Sequence, residues 1–301
     1  MSLTYSHASP DSTPQVSIII ISRNEGAELC ATVTNLRQTL PASRRQLIVV
    51  DDGSTDGSAA FLADAPDVLL LRTENLGVAK ARNFGASRAT GGIILFADAH
   101  MRAPEGWLEP LVEALDDPSV GAVSPGIYSL TDPRCRGFGL DLIGAELHAR
   151  WRIRRGSDPY PVPVLPGAFL AMRRETLLAT GGYDPGLHQL GGNDNELSCR
   201  FWLLGYRLLV VPRVEVGHLF RVTPPYPATW SAVVHNRLRM AFIHFGAARV
   251  ERVLRALRVY ESFPAGAAMM LDTDVFSRRA QMAKLRQYDD DWFFQNFQLE
   301  C

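Results

Sequence analysis

The first 125 residues alternate short runs of β-branched and aliphatic residues with segments of helix length. The runs predict five strands at 16–21, 47–50, 68–71, 93–96 and 120–123. Near-continuous apolar strands separated by crossover helices predict a mostly parallel, Rossmann-like central sheet with helices on both faces. Such a sheet binds its ligand at the carboxyl ends of its strands. The alternation therefore predicts an α/β fold of a nucleotide-binding type.

The second half is less regular. Loop and edge structure is predicted for 125–166, followed by a strand at 168–172, a helix at 175–180 ending at Gly181 and Gly182, and a helix beginning near Asn193. Two strands at 207–211 and 214–218 and a mostly helical stretch from 228 complete the prediction. The domains we expect are a flexible tail at 1–14, a catalytic domain at 15–227 with halves at 15–125 and 126–227, and a helical extension at 228–301 packed on it.

Charge and cysteine content narrow the function classes. With 31 basic and 32 acidic residues, the net charge of −1 gives no general attraction to nucleic acid or to anionic membranes. The four cysteines are far apart and form no CxxC pair, which favours a reducing compartment over a disulfide framework. No signal-peptide pattern and no apolar run of the roughly 18 residues that span a membrane is present. These features predict a soluble, cytoplasmic protein.

Polar residues follow the predicted strands directly. The first strand leads into residues 22–25, the second into 51–54, and the fourth into Asp98 and His100. Because the carboxyl ends of parallel strands meet at one edge, these three segments are expected to share one crevice.

Asp98 and His100 are two residues apart at a strand end, so both side chains can point the same way. His218 could complete a metal site with them. One carboxylate and two imidazoles suit Mn²⁺ or a similar ion, with Mg²⁺ as a second possibility. On spacing alone, hydrogen-bonded histidines beside a loop aspartate are the favoured explanation, because such short motifs also occur by accident.

Two further aspartates have both structural and functional interpretations. Asp52 lies in a turn that precedes a possible helix cap, and its carboxylate could accept a hydrogen bond from a nucleobase. Asp194 lies in the first turn of a predicted helix, where the helix dipole favours an ionised carboxylate. The same environment would keep a general base unprotonated.

Several segments resemble the inverting GT-A glycosyltransferases of the largest nucleotide-sugar family, over about residues 16–220. They are 17–24, 49–54, 77–83 and 96–100. Further segments closely resemble the catalytic domain of polypeptide N-acetylgalactosaminyltransferases: 105–111, 123–125, 191–192, 196–198 with Trp202, and 216–221. The resemblance implies a GT-A fold, a UDP-sugar donor and an acceptor that is a peptide, a saccharide or a small molecule.

The resemblance also implies residue roles. It assigns Asp98, His100 and His218 to Mn²⁺, Arg221 and Tyr226 to the diphosphate, and Asp52 to the uracil. The predicted nucleotide-sugar contacts are Ser22, Asn24, Glu25, Asp52, Lys80, Arg82, Ala97, Asp98, Gly167, Arg221 and Tyr226. The predicted acceptor-side residues are Gly192, Asn193 and Trp151.

Departures from the polypeptide transferases bear on stereochemistry and specificity. Those relatives carry Glu-Asn after the paired glycines and retain anomeric configuration, whereas this chain carries Asn193-Asp194. Inverting relatives place a base aspartate there, so Asp194 is predicted to deprotonate the acceptor in an inverting displacement. Leu190 replaces a tryptophan and Ala168 a glycine near the sugar pocket, so N-acetylgalactosamine specificity is not transferred.

Other functions remain open at this stage. They are a retaining transferase, a nucleotidyltransferase that makes activated sugars, a 2-His-1-carboxylate oxygenase and a non-catalytic sugar-nucleotide-binding module. Arg249, Arg252, Arg255 and Arg258 recur at helical spacing and predict a solvated face, with peripheral membrane contact a less favoured alternative. The aromatic segment at 289–294 is expected to pack on the domain, close the acceptor cleft or meet another subunit.

Overall fold

A computed structural model describes residues 15–223 and 225–301 of the chain. The predicted tail at 1–14 lies outside these residues. The strands are β1 Val16–Ser22, β2 Arg45–Asp52, β3 Val68–Thr73, β4 Ile93–Asp98, β5 Met101–Arg102, β6 Val120–Ser129, β7 Arg136–Gly137, β8 Leu140–Ile143, β9 His148–Trp151, β10 Tyr160–Pro161, β11 Phe169–Arg173 and β12 Arg207–His218. The helices are α1 Ala27–Thr39, α2 Val78–Ala86, α3 Leu108–Leu115, α4 Arg174–Thr180, α5 Asn193–Leu203, α6 Trp230–His244, α7 Ala247–Leu257, α8 Phe263–Leu271, α9 Val275–Leu285 and α10 Asp290–Phe297.

One sheet organises the molecule. Its strand order is β10-β12-β6-β11-β4-β1-β2-β3, with β5 paired to β12 and β7 to β6. The four strands β4, β1, β2 and β3 are parallel, as their apolar sequences predict. Alternate residues of these strands face opposite sides, so Ile19 and Phe96 lie in one core cluster while Ile18 and Leu95 lie in the other. The prediction of an α/β sheet with helices on both faces is confirmed.

Three details of the strands and helices were not predicted. β11, predicted as a strand without a direction, is antiparallel to both of its neighbours. The predicted strands at 207–211 and 214–218 form one strand, β12, whose register against β6 shifts between Val211 and Glu215. Between β2 and β3 the chain makes only a short 3₁₀ turn, Ala60–Leu62, because that segment is rich in Gly, Ser and Asp, which favour turns over helix.

The C-terminal helices pack on the sheet domain. The ring of Phe297 lies against that of Trp202 on α5, with centroids 4.9 Å apart, and Phe293 and Phe294 are buried. Arg249 contradicts the predicted solvated face of α7: it is buried, hydrogen-bonds Asp290, and its guanidinium lies 4.1 Å from the Phe294 ring centroid. Among the described residues no helix is both long and apolar enough to cross a membrane.

His235 on α6 gives the fold an acid-sensitive position. Its ring is fully buried, and Nε2 donates to the carbonyl of Gly186 at 2.9 Å. Burial lowers the pKa of His235 from its usual 6.5 to about 4. Between about pH 6.5 and pH 4, His235 is therefore protonated in the unfolded chain but neutral in the folded chain. Because the unfolded state binds this extra proton, the free energy of unfolding falls as the pH drops toward 4.

We expect His235→Gln to weaken the acid dependence of stability. When the pH is lowered from 7.5 to 5, the buried histidine should reduce the unfolding free energy of the wild type by about 1 to 2 kcal/mol. Urea denaturation at both pH values measures the difference, with the half-exposed His148 replaced by glutamine as control. An unchanged pH dependence in His235→Gln would contradict this assignment.

Candidate active site

Asp98, His100 and His218 meet at the carboxyl end of β4. Asp98 ends β4, His100 lies in the turn that follows, and His218 ends β12. The chain around His218 is fixed there because β12 pairs with β5 and the amide of Leu219 donates to the carbonyl of His100 at 3.1 Å. One ligand atom from each of the three side chains lies within 4.8 Å of the others, and Asp98 Oδ2 is 3.4 Å from His218 Nε2. A single cation can therefore reach all three.

The surroundings of the triad fit a metal site. Glu25 Oε2 lies 3.0 Å from His100 Nδ1, so a proton on that nitrogen leaves the Nε2 lone pair for a metal. A carboxylate behind a ligand histidine is the usual arrangement for fixing its ring and tautomer. Nδ1 of His218 is buried and has no hydrogen-bond partner among the described residues. Two imidazoles and a carboxylate are a donor set suited to Mn²⁺.

Arg82, on α2, is the buried cation of the site. Its Nη2 donates to Asp98 Oδ1 at 3.1 Å and to the carbonyl of Gly167 at 2.8 Å, while Nη1 donates to Asp194 Oδ1 at 3.2 Å and to the Tyr183 hydroxyl at 2.9 Å. Burial alone would raise the pKa of Asp98, but the hydrogen bond with His218 and the Arg82 charge hold it well below the usual range. Asp98 is therefore ionised and ready to bind a cation.

Asp194 is held from two sides at the start of α5. Its Oδ2 accepts from the amide of Gly167 at 2.9 Å while Oδ1 accepts from Arg82. A Cβ at position 167 would lie 2.1 Å from Asp194 Oδ1, so only glycine allows this approach. Gly192 begins α5 in a left-handed conformation, with φ of 77°. Burial raises the pKa of Asp194, and the Arg82 charge opposes that effect.

The loops that follow β1, β2 and β12 contain several of the predicted nucleotide contacts. The Asp52 carboxylate accepts hydrogen bonds from Thr73 Oγ1 at 2.8 Å and from the amides of Leu76 and Gly77 at 2.6 and 2.9 Å. Most of its hydrogen-bonding capacity is therefore used to hold the turn before α2. Asn24 Oδ1 accepts a hydrogen bond from the Thr55 amide at 2.7 Å, which connects the loop after β1 with the loop after β2. Asn24 therefore supports the site by holding these loops in place.

Arg221 and Tyr226 lie beside the metal triad. Arg221 Nη1 donates to Glu25 Oε2 at 2.6 Å, so Glu25 connects this guanidinium with His100. Burial, followed by the charges of Asp98 and Glu25, raises the pKa of Tyr226 and keeps its hydroxyl a donor. A cation and a hydroxyl donor next to a metal site form a pocket for an anionic group such as a diphosphate.

These residues line a single cavity of about 540 Å³, within the usual range for a ligand pocket. The predicted residues on its wall are Ser22, Glu25, Asp52, Arg82, Asp98, His100, Trp151, Gly192, Asn193, Asp194, His218, Arg221 and Tyr226. Four predicted contacts are not among its lining residues. Asn24 and Gly167 support it through hydrogen bonds, Ala97 is buried in the sheet, and Lys80 is exposed on α2.

Sequence reasoning missed several wall residues. Arg23 adjoins the predicted segment 22–25, and its guanidinium lies 5.8 Å from the Tyr226 ring centroid, so its position after β1 was a usable signal. Phe220 and Arg237 also line the cavity. Phe220 lies within the 216–221 motif, whereas nothing in the local sequence distinguishes Arg237 from the other arginines of the C-terminal stretch.

The predicted acceptor-side residues line the same cavity. Trp151 on β9 is 38% exposed and its ring meets that of Phe220, with centroids 6.0 Å apart. Asn193 is buried, and its side-chain oxygen has no hydrogen-bond partner among the described residues. That oxygen can accept a hydrogen bond from a hydroxyl bound in the cavity.

Comparison with known proteins identifies relatives of this chain. The profile of "Glycosyl transferase family 2" matches residues 17–179, more than half of the chain. Human "Polypeptide N-acetylgalactosaminyltransferase 15" is 33% identical over 260 residues, covering 79% of this chain and 41% of that protein. "Polypeptide N-acetylgalactosaminyltransferase 11" of Xenopus tropicalis is 32% identical over 264 residues, covering 78% and 43%. The chain thus spans less than half the length of these two relatives.

Solved structures show the same fold. The first is titled "Crystal structure of GalNAc-T7 with UDP, GalNAc and Mn2+"; it superposes with a TM-score of 0.77 and 21% identity, covering 96% of this chain and 57% of that one. A mannosyltransferase from Pyrobaculum calidifontis, solved with GDP-Man and Mn²⁺, gives a TM-score of 0.54 and 22% identity, covering 96% and 85%. These similarities confirm the predicted GT-A fold.

The predicted inversion is contradicted by these relatives, because the polypeptide N-acetylgalactosaminyltransferases retain configuration. The base role of Asp194 depended on inversion. In the structure both carboxylate oxygens of Asp194 already accept hydrogen bonds, from Arg82 and from the Gly167 amide. The pair Asn193-Asp194 in place of Glu-Asn was too local a signal to outweigh the similarity of the second half as a whole.

Proposed function

Because this chain belongs to glycosyl transferase family 2, we propose that it moves a sugar from a UDP-sugar to a peptide hydroxyl with retention of configuration. The observation that carries the proposal is the Asp98, His100 and His218 triad beside Arg221 and Tyr226 in one cavity. The relatives named as polypeptide transferases support a peptide acceptor. The substitutions at Leu190 and Ala168 leave the donor sugar to be determined by a screen of UDP-sugars.

Different side chains of the cavity act on the diphosphate and on the sugar. A bound Mn²⁺ supplies Lewis acidity at the diphosphate, which neutralises charge on the leaving group. Arg221 and Tyr226 donate to the same diphosphate, while Glu25 holds Arg221 and His100 in place. Arg82 and Asp194 together fix the wall against which the sugar lies.

Retention follows if the acceptor attacks from the face that the diphosphate leaves. The bond between sugar C1 and the diphosphate oxygen breaks, the acceptor oxygen bonds to C1, and the acceptor proton passes to the departing diphosphate. This route needs no free carboxylate base, in agreement with the two hydrogen bonds already made to Asp194.

Removing the metal should abolish this activity. We expect EDTA treatment to stop UDP release from UDP-sugar and a threonine peptide, and added Mn²⁺ to restore it, with Mg²⁺ less effective. NMR of the product gives the stereochemistry: an α-linked sugar from a UDP-α-sugar supports retention, and a β-linked product would overturn it. Pyrophosphate exchange without transfer would instead identify a nucleotidyltransferase.

We also propose a division into a catalytic domain at 15–227 and a helical extension at 228–301, and a cytoplasmic location. The wide spacing of the four cysteines in the sequence, with no CxxC pair, favours that location. An oxygenase using the same three ligand types is disfavoured because its ligands would lie on an antiparallel barrel.

A further inference from the structure

The acceptor side of the cavity contains an arginine that the proposed chemistry does not use. Arg237 lies on α6, half-buried, one helical turn after Val233, and both residues line the cavity that contains Asp194. Among the residues described in the structure, no carboxylate oxygen lies within 4.0 Å of its guanidinium. The fully buried arginines Arg82 and Arg200, by contrast, are paired with acids.

Arg237 is held in position rather than mobile. Its Nη2 is 3.1 Å from Nδ1 of His148, which begins β9. The nearest acidic side chain of this hairpin, Glu146, is already engaged with His148 Nε2 and with the Tyr260 hydroxyl, the latter at 2.7 Å. A guanidinium has five N–H donors, so donors of Arg237 remain for a ligand even with His148 and the Tyr260 hydroxyl beside it.

The β8–β9 hairpin places an apolar wall next to this cation. Leu147, Ala149 and Trp151 of the hairpin line the cavity. Leu147 has a φ of +58°, which is unusual for a branched side chain, and its carbonyl accepts from Asn195 Nδ2 at 3.1 Å. The helix that carries Asp194 therefore fixes the hairpin, and with it the distance between the apolar wall and the reacting centre.

Arg221, Tyr226 and the metal triad already provide the cations and donors proposed for the diphosphate, so Arg237 is not needed for that anion. A fixed, half-buried cation beside an apolar wall has the chemistry to bind a carboxylate attached to an apolar chain. Arginine is also the residue best suited to two parallel hydrogen bonds with a carboxylate.

We propose that Arg237 binds a carboxylate of the acceptor, so that acidic peptides are the preferred substrates of this chain. The inference rests on the proposed peptide glycosylation. The carboxylate can come from an aspartate or glutamate side chain or from a free C-terminus, and both would make the same contact.

Three synthetic peptides distinguish these cases. The first is an amidated peptide with one threonine among glycine and alanine, the second adds an aspartate beside that threonine, and the third has a free C-terminus. Each carries a fluorophore, and anisotropy in the presence of UDP and Mn²⁺ gives its Kd. We expect one or both acidic peptides to bind at least about tenfold more tightly than the neutral one.

Arg237→Gln should remove this preference, and Arg237→Lys should retain part of it. Arg255→Gln is the matched control, because Arg255 is exposed and pairs only with Glu251 one turn away on α7. Equal Kd values for neutral and acidic peptides, or a preference that survives in Arg237→Gln, would overturn the inference. Thermal unfolding of each variant shows whether it is folded.

UDP release, measured in parallel, separates this inference from the proposed function. Transfer to all three peptides without acidic preference would leave the transferase standing and refute the carboxylate subsite. Absence of UDP release with every UDP-sugar and peptide would refute the transferase, while the binding comparison would still decide whether Arg237 binds a carboxylate.

Discussion

Replacing Asp98 with asparagine is expected to lower glycosyl transfer by about 1,000-fold, since several kcal/mol of transition-state stabilisation depend on the ion and each ~1.4 kcal/mol is a factor of ten. Asp98 is the one carboxylate of the three candidate ligands, and its other oxygen accepts from Arg82. Asparagine keeps the shape and one acceptor oxygen but removes the negative charge. The affinity for Mn²⁺ should fall together with turnover.

Isothermal titration with Mn²⁺ in the presence of UDP measures the first quantity, and UDP release the second. Asp117→Asn is a suitable control, because this aspartate is exposed and lies beside β6, away from the cavity. If Asp98→Asn bound Mn²⁺ as tightly as the wild type and kept more than a tenth of its turnover, the triad would not be the catalytic metal site.

The sequence predicted the nucleotide-binding half well because its signals are local. Short, β-branched apolar runs such as 16–21 favour central strands, and the polar residues that follow such strands are then expected at one sheet edge. Asp98 and His100 could be placed together for this reason. His218 needed the family resemblance, since it lies more than a hundred residues away in the sequence.

The rest depends on contacts between distant segments, which no short pattern encodes. The direction of β11 is one case, because the apolar sequence pattern of a buried strand is the same whether the strand is parallel or antiparallel to its neighbours. The connection made by Glu25 between His100 and Arg221 is another, as it joins residues from three parts of the chain. Arg249 was assigned to solvent because helical periodicity cannot foresee that α10 covers it with Asp290 and Phe294.

The largest effect on stability is expected at Arg82. Replacing it with methionine fills a similar volume but leaves the partly buried carboxylates of Asp98 and Asp194 without their shared, buried cation. Breaking a buried ion pair by removing one partner costs about 3 to 5 kcal/mol. The unfolding free energy of Arg82→Met at pH 7.5, measured by urea denaturation without metal, should fall by about that amount.

A double variant shows whether the loss arises from the unpaired charge. Arg82→Met combined with Asp194→Asn removes one of the two carboxylates, so we expect it to be more stable than Arg82→Met alone, although Asp194→Asn by itself destabilises. Arg88→Met, at an exposed position just beyond α2, should change stability by less than about 1 kcal/mol. A loss in Arg82→Met as small as that of Arg88→Met would mean that Asp98 and Asp194 do not depend on Arg82 for their burial. Recovery in the double variant would instead identify Arg82 as the group that allows two carboxylates to share the wall of one cavity.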